Sequence, residues 1–273
     1  MQEERHIYYD DDLKIEAYSL QGVVQEFPNH FHNFYVIGYI ENGQRHMRCK
    51  ACDYDLDPGC LILFNPQDNH QCAPINQNPL DYRAINIDIQ TMEQYAYEIT
   101  GKKVQPYFSQ HVVFDSDCAQ SLARLYTLIV HKAPVLEKEE AFCFLLQQLL
   151  LQFCDGTTLT ERDALGNFQE IREYLDAHYP ENISLEQLAR ISGCSKSYLV
   201  RSFTHTLGIS PYRYLQTVRL EKAKDMLQRG KLAVEVAIDC GFADQSHFSN
   251  AFKRFIGLTP NQYRQIFLKN AKN

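Results

Sequence analysis

Apolar and polar positions follow two different rhythms along this 273-residue chain. Up to about residue 90 the apolar runs are short. Phe34–Ile40, Leu61–Phe64 and Tyr82–Ile89 are rich in β-branched and aromatic side chains, and Asp57-Pro58-Gly59, Asn65-Pro66 and Asn78-Pro79 punctuate them. Many short strands with such turns predict a sandwich or barrel. Asn42-Gly43 predicts a hairpin. The period then becomes helical. Leu122, Leu125 and Ile129 mark a helix over about 117–132, and Phe142, Leu145, Leu149 and Phe153 mark another over about 137–154. The second also carries Phe144, Leu146, Leu150 and Leu151, so it is apolar around most of its circumference and needs cover on several sides. A homodimer would supply that cover; a wholly intramolecular helix is the alternative. Polar residues 156–166 read as a linker. Beyond them Phe168–Tyr179 is amphipathic and closed by Pro180.

Two helical units follow, and they repeat each other at an offset of 48 to 49 residues. Ala189 and Gly193 return as Ala237 and Gly241, and Leu199 and Phe203 as Phe248 and Phe252. Gly208, Pro211 and Tyr214 return as Gly257, Pro260 and Tyr263. In the first unit Ser184 and Gln187 match a capping box. Leu185, Leu188, Ala189 and Ile191 supply an apolar stripe, and Gly193 stops the helix where the chain must turn. Ser195 then caps a helix with Tyr198, Leu199 and Phe203 inward. In the second unit Val236, Ala237 and Ile238 are expected inside, Asp244 caps, and Phe248, Phe252 and Phe255 pack inward. Each unit reads helix, tight turn, helix, and such a motif places its second helix in the major groove of DNA. Between the units, SPYRYLQTVRLEKAKDMLQRG predicts a helix about 30 Å long. That is close to the roughly 34 Å between successive major grooves on one face of a duplex.

The outward positions of the two second helices are Lys196, Ser197, Val200 and Arg201, and Gln245, Ser246, Ser249 and Asn250. Arg201 suits guanine N7 and O6, or else a phosphate or salt bridge; Gln245 and Asn250 suit adenine or phosphate. Charge agrees with an anionic partner for this part alone. The chain carries −7 in total, but residues 1–155 carry −11 and residues 156–273 carry +4, rising to +8 from Ser184 onward. No apolar run reaches the roughly 20 residues of a membrane helix, and the acidic start is not a secretory signal. The nine cysteines read as reduced thiols in a cytoplasmic protein. Cys49-x-x-Cys52 lacks the second pair a four-cysteine zinc site needs and is expected at a β-hairpin by coincidence. The run Asp10–Asp12 is expected to be solvated. No nucleophile–base constellation or glycine-rich phosphate loop points to an enzyme.

The stretches ISLEQLARISGCSKSYLVRSFTHTLGISPYRYLQTVRLEKAKDML and VAIDCGFADQSHFSNAFKRFIGLTPNQYR resemble the DNA-binding domain of AraC/XylS-type bacterial transcription regulators. Both units, the connecting helix and the closing Pro-x-x-Tyr-Arg occur in order. The resemblance implies that the eight outward residues fall where family members touch DNA. Val200 stands where a polar residue is often found, and suits a thymine methyl instead. HFHNFYVIGYIENG followed by LDPGCLILFNPQDNH more loosely resembles the family's cupin-like effector domain. The chain is therefore expected to be α+β. An N-terminal cupin-like β-barrel with a helical dimerisation segment would occupy 1–155 (barrel about 1–110), followed by the linker at 156–166. An all-α domain with two helix-turn-helix motifs joined by a linker helix would occupy 167–273.

The resemblance implies a regulator of promoter DNA controlled by a small-molecule effector, and a contact with RNA polymerase if it activates. Effector-binding candidates are His30, His32, Tyr35, His70, Arg83 and Asn86; Arg83 could clamp a carboxylate or sit as a surface charge. His30, His32 and His70 are a potential metal triad, His30 and His32 sharing one strand face. The usual metal-binding cupin pattern adds a Glu soon after the second His, and Asn33–Ile37 offers none. A metal-free pocket with no cofactor is expected, and a metal-dependent cupin enzyme fused to a DNA-binding domain is the alternative.

Overall fold

The structure, a computed structural model, describes residues 3–154, 168–256 and 258–270. The expected linker and Gly257 lie outside the described residues. Contacts group the rest into two compact units: one holds the strands, the first two helices and most of the third, and the other holds the remaining helices.

The first unit begins with nine strands: β1 (Glu4–Asp10), β2 (Ile15–Val23), β3 (Phe27–His30), β4 (Tyr35–Asn42), β5 (Arg45–Cys49), β6 (Cys52–Leu56), β7 (Leu61–Phe64), β8 (His70–Pro74) and β9 (Leu80–Ile87). Then come α1 (Ile89–Thr100), β10 (Val112–Val113), α2 (Ser116–Val130) and α3 (Val135–Phe153). The strands form a six-stranded sheet, β1-β2-β9-β4-β7-β10, and a four-stranded sheet, β3-β8-β5-β6. Their inner faces share one core, with Val36, Ile40, Ile62, Phe64, Tyr82 and Ala84 from the first sheet and Met47, Cys49 and Leu56 from the second. The expected barrel is thus a pair of packed sheets, not a closed ring.

Asn42-Gly43 does not make the expected hairpin. β4 pairs with β7 and β9, whereas β5 pairs with β6 and β8, so this turn carries the chain from one sheet to the other. Gly43 has φ +87°, and a Cβ there would lie 2.2 Å from the Pro79 carbonyl oxygen. The nearby hairpin is β5–β6, which sets Cys49 opposite Cys52. Both thiols are free, the first buried and the second exposed.

Helix α1 is not among the elements expected from the sequence. Asp88 caps it by accepting from the Thr91 amide, and Gly101 ends it with φ +70°. Met92, Tyr95, Ala96 and Ile99 are its buried face, at the i, i+3, i+4, i+7 spacing. Helix α3 buries Phe142, Leu145, Leu146, Leu149 and Leu150 within the chain, and leaves Phe144 and Leu151 exposed. The run Asp10–Asp12 is not simply solvated. Buried Lys138 of α3 ion-pairs with buried Asp10, and with Asp12 at 2.7 Å. Burial works against the Lys138 charge, but the two carboxylates outweigh it and raise its pKa.

The second unit comprises α4 (Gln169–Ala177), α5 (Leu185–Ser192), α6 (Lys196–Leu207), α7 (Pro211–Gln228), α8 (Ala233–Asp239), α9 (Gln245–Ile256) and α10 (Pro260–Asn270). The Ser184–Gln187 capping box is present, and Ser195, Ser210 and Asp244 cap the helices after them. Leu199, Phe203, Val236, Ala237, Phe248 and Phe252 are buried as expected. Two positions differ. Ile238 is 72% exposed, because the 100° step after Ala237 swings it off the inner face of a short helix. Phe255 is 49% exposed, and Ile256 packs against the core at that end instead.

Arg219 of α7 is buried and donates from Nε to the Tyr179 carbonyl at 2.7 Å and from Nη2 to the Glu181 carbonyl at 2.8 Å. It thereby holds the loop between α4 and α5 against the helix that joins the two motifs. Arg264 of α10 similarly donates to the Gly230 carbonyl at 2.9 Å.

Candidate functional site

Helices α6 and α9 are the second helices of the two motifs. In α9, Gln245, Ser246 and Asn250 are exposed and Ser249 is half-buried. In α6, Val200 and Arg201 are half-buried, with the Arg201 guanidinium 5.7 Å from the Tyr198 ring centre. Lys196 and Ser197 depart from their expected outward placement: they are 8% and 3% exposed. Both lie in the first turn of α6, where polarity alone does not guarantee access to solvent. The eight candidates therefore do not present one uniform surface, and α9 offers the more open one. The 18-residue α7 separates the motifs, a length of about 27 Å.

In the first unit a cavity of about 230 Å³ lies between the two sheets. Its wall is mainly apolar, including Leu20, Phe27, Val36, Ile40, Met47 and Ile62. The polar groups are few: Tyr18, Tyr82, Cys72 and the three histidines His30, His32 and His70. The Tyr18 and Tyr82 ring centres lie 5.7 Å apart, and burial pushes the Tyr18 pKa up to about 12. Gly38 of β4 makes room for Tyr82; a Cβ at that position would lie 1.8 Å from the Tyr82 hydroxyl oxygen. The sequence signal for it is a lone glycine inside a strand pattern.

The six effector candidates separate, and strand parity accounts for Tyr35 and Arg83; His32 lies just beyond the end of β3. His30, His32 and His70 line the cavity. On β4 the cavity side is Val36, Gly38 and Ile40, so Tyr35 faces the other way, and its hydroxyl donates to the Pro106 carbonyl at 2.7 Å. On β9 the cavity side is Leu80 and Tyr82, so Arg83 also faces away. It pairs with Glu41 at 3.1 Å and lies over the Tyr126 ring. Asn86 has the right parity but is not in the wall; its side-chain amide donates to Glu16 at 3.2 Å.

The three histidines converge. Ring centres are 4.3 Å apart for His30–His70, 4.8 Å for His30–His32 and 5.2 Å for His32–His70. His70 is stacked on Phe64 at 3.8 Å. Burial pushes the His70 pKa down to about 4 and lowers that of His32, with His30 adding to both shifts.

Residues 12–153 match the family described as AraC-like ligand binding domain, and residues 188–266 match a helix-turn-helix domain family. A Bacillus subtilis (strain 168) protein described as the uncharacterized HTH-type transcriptional regulator YbfI is 44% identical over 246 residues, covering 90% of each chain. The chain belongs to the AraC family of transcriptional regulators. The HTH-type transcriptional activator RhaS of Escherichia fergusonii is 24% identical over 248 residues, covering 88% of each chain. Among solved structures, apo ToxT K231A of Vibrio cholerae strain SCE256 aligns with 95% of this chain and 99% of its own, at 12% identity and a TM-score of 0.39. As an AraC-family regulator, the chain combines a ligand-binding domain with a helix-turn-helix DNA-binding domain. The cavity lies in the first, and α6 and α9 lie in the second. Among the described residues no helix is long and apolar enough to cross a membrane.

Proposed function

We propose that this AraC-family regulator reads promoter DNA through α6 and α9 and is controlled by a small effector bound between the sheets. The observation that carries the DNA reading is the pair of capped second helices separated by α7. α7 is about 27 Å long, which approaches the groove repeat of roughly 34 Å and suits the entry of each helix into one of two successive major grooves. A residual mismatch is met by bending the duplex. Gln245, Ser246, Ser249 and Asn250 are the reading set of α9, with Val200 and Arg201 in α6. Lys196 and Ser197 remain part of the set on resemblance, and they require the first turn of α6 to be uncovered on DNA.

The cavity wall favours an effector with a small apolar body and one or two polar atoms. Among the described residues its lining contains no carboxylate or ammonium, and its polar side chains are tyrosines, a thiol and imidazoles. Binding can regulate DNA affinity only by stabilising one arrangement of the protein over another. The cavity is read as a binding site, not as a site of turnover. The exposed Phe144 and Leu151 of α3 support a homodimer through that face. RNA polymerase is a further partner if the protein activates.

The test is binding of the full chain to labelled promoter fragments by fluorescence anisotropy. Arg201→Ala and Asn250→Ala are each expected to weaken specific binding by about 1–3 kcal/mol while leaving the thermal transition in place. Affinity should also fall steeply with salt, as counterions are released from phosphates. Wild-type affinity in both variants would remove these helices from the reading surface.

A further inference from the structure

We propose that His30, His32 and His70 form a site for one divalent transition-metal ion in the wall of the effector cavity. The missing carboxylate after His32 argues against a metal when only the sequence is read. The hydrogen bonds of the rings argue the other way.

His30 Nδ1 lies 2.7 Å from the Pro28 carbonyl oxygen, and His70 Nδ1 lies 2.8 Å from the Asp68 carbonyl oxygen. A carbonyl oxygen only accepts, so each Nδ1 carries the proton. The tautomer of both rings is thereby fixed, and each Nε2 keeps a bare lone pair. This is how proteins orient metal-binding histidines, with the second ring nitrogen tied to a backbone oxygen. Other contacts also hold the rings in place. His30 and His70 face each other across β3 and β8, His70 is stacked on Phe64, and His32 is stacked on Phe34 at 4.8 Å.

One ring nitrogen from each of the three residues lies within 4.8 Å of the others. Among the described residues no hydrogen bond links the rings. Three converging ring nitrogens with no hydrogen bond between them repel through their lone pairs, and a cation relieves that repulsion. An all-nitrogen donor set favours zinc, cobalt, nickel or copper over magnesium or calcium. Three protein donors leave at least one position of a four-coordinate ion to an outside ligand. On the reading of the cavity as the effector site, that ligand is an oxygen or nitrogen atom of the effector, whose apolar body rests on the rest of the wall.

A second group, Cys49, Asp68 and His111, also has ligand atoms within 4.8 Å of one another, but it is already satisfied. Asp68 accepts from the Asn65 amide and side chain, both at 2.9 Å, and pairs with Lys50 at 2.5 Å. Burial pushes the Cys49 thiol up to about 11.

The experiment uses the full chain stripped with a chelator. Co²⁺ is titrated while visible absorption is followed, and Zn²⁺ is titrated by calorimetry. One ion per chain is expected, with no thiolate charge-transfer band. His30→Ala and His32→Ala should each weaken binding at least about tenfold with an unchanged circular dichroism spectrum. Cys49→Ser should bind as wild type. His32 is half-exposed, so its variant keeps the test valid even if a change at buried His70 disrupts folding. Failure to bind an ion, unchanged affinity in His32→Ala, or a thiolate band that vanishes in Cys49→Ser would overturn the site. Effector response in the promoter-binding assay is read separately. If that response is absent while one ion still binds through the histidines, the metal site stands and the effector reading alone falls.

Discussion

Gly38 is a single position where the absence of a side chain has a functional consequence. Tyr82 occupies the space a β-carbon would take, and Tyr82 with Tyr18 supplies the hydroxyl pair of the cavity. Gly38→Ala is therefore expected to push the Tyr82 ring into the cavity. Any small molecule that raises the thermal transition of the wild type should lose most of its effect on this variant. An equal thermal shift in both proteins would show that the ligand lies elsewhere. The histidines show a related limit of sequence reading. Their spacing marks them as neighbours, but the protonated nitrogen of His30 and of His70 is set by the Pro28 and Asp68 carbonyls, which no pattern of residue types reveals. Strand parity does separate Tyr35 and Arg83 from the cavity side, once the strand register is known.

Among the elements, the duplicated motifs allow a comparison within one chain. Gly193 and Gly241 occupy equivalent turns with φ +66° and +75°. A Cβ on Gly193 would meet open space, whereas on Gly241 it would lie 2.4 Å from the Pro180 carbonyl oxygen. Gly193→Ala should cost about 1–2 kcal/mol, the ordinary penalty for a left-handed alanine. Gly241→Ala should cost clearly more, because the loop before α5 must also move. Urea denaturation of each variant measures the difference; equal losses would mean that the loop yields freely. The caps, the apolar stripes and the rod between the motifs were legible because each is a local pattern. The sheet crossover at Asn42-Gly43, the Lys138–Asp10 pair and the Arg219 clamp were not, since each joins residues far apart in sequence. Helix α1 was legible in principle, having a cap, a periodic face and a terminal glycine. The apolar strand that precedes it masks its start.

For the whole molecule, the acidic first part and basic second part assign DNA contact to the second unit, despite a net charge of −7. On the proposed homodimer, the exposed pair Phe144 and Leu151 is the face that meets a second copy of the chain. Phe144→Asp is expected to lower the sedimentation mass toward the monomer without changing the thermal transition, and an unchanged mass would place any dimer contact elsewhere. The central claim, that α6 and α9 of one chain read adjacent major grooves, is tested most directly by methylation interference on a bound promoter fragment. Two clusters of major-groove contacts are expected on the same face of the duplex, about 10 base pairs apart. Arg201→Ala should erase one cluster and Asn250→Ala the other. A single cluster, or two clusters that both survive each substitution, would contradict the account.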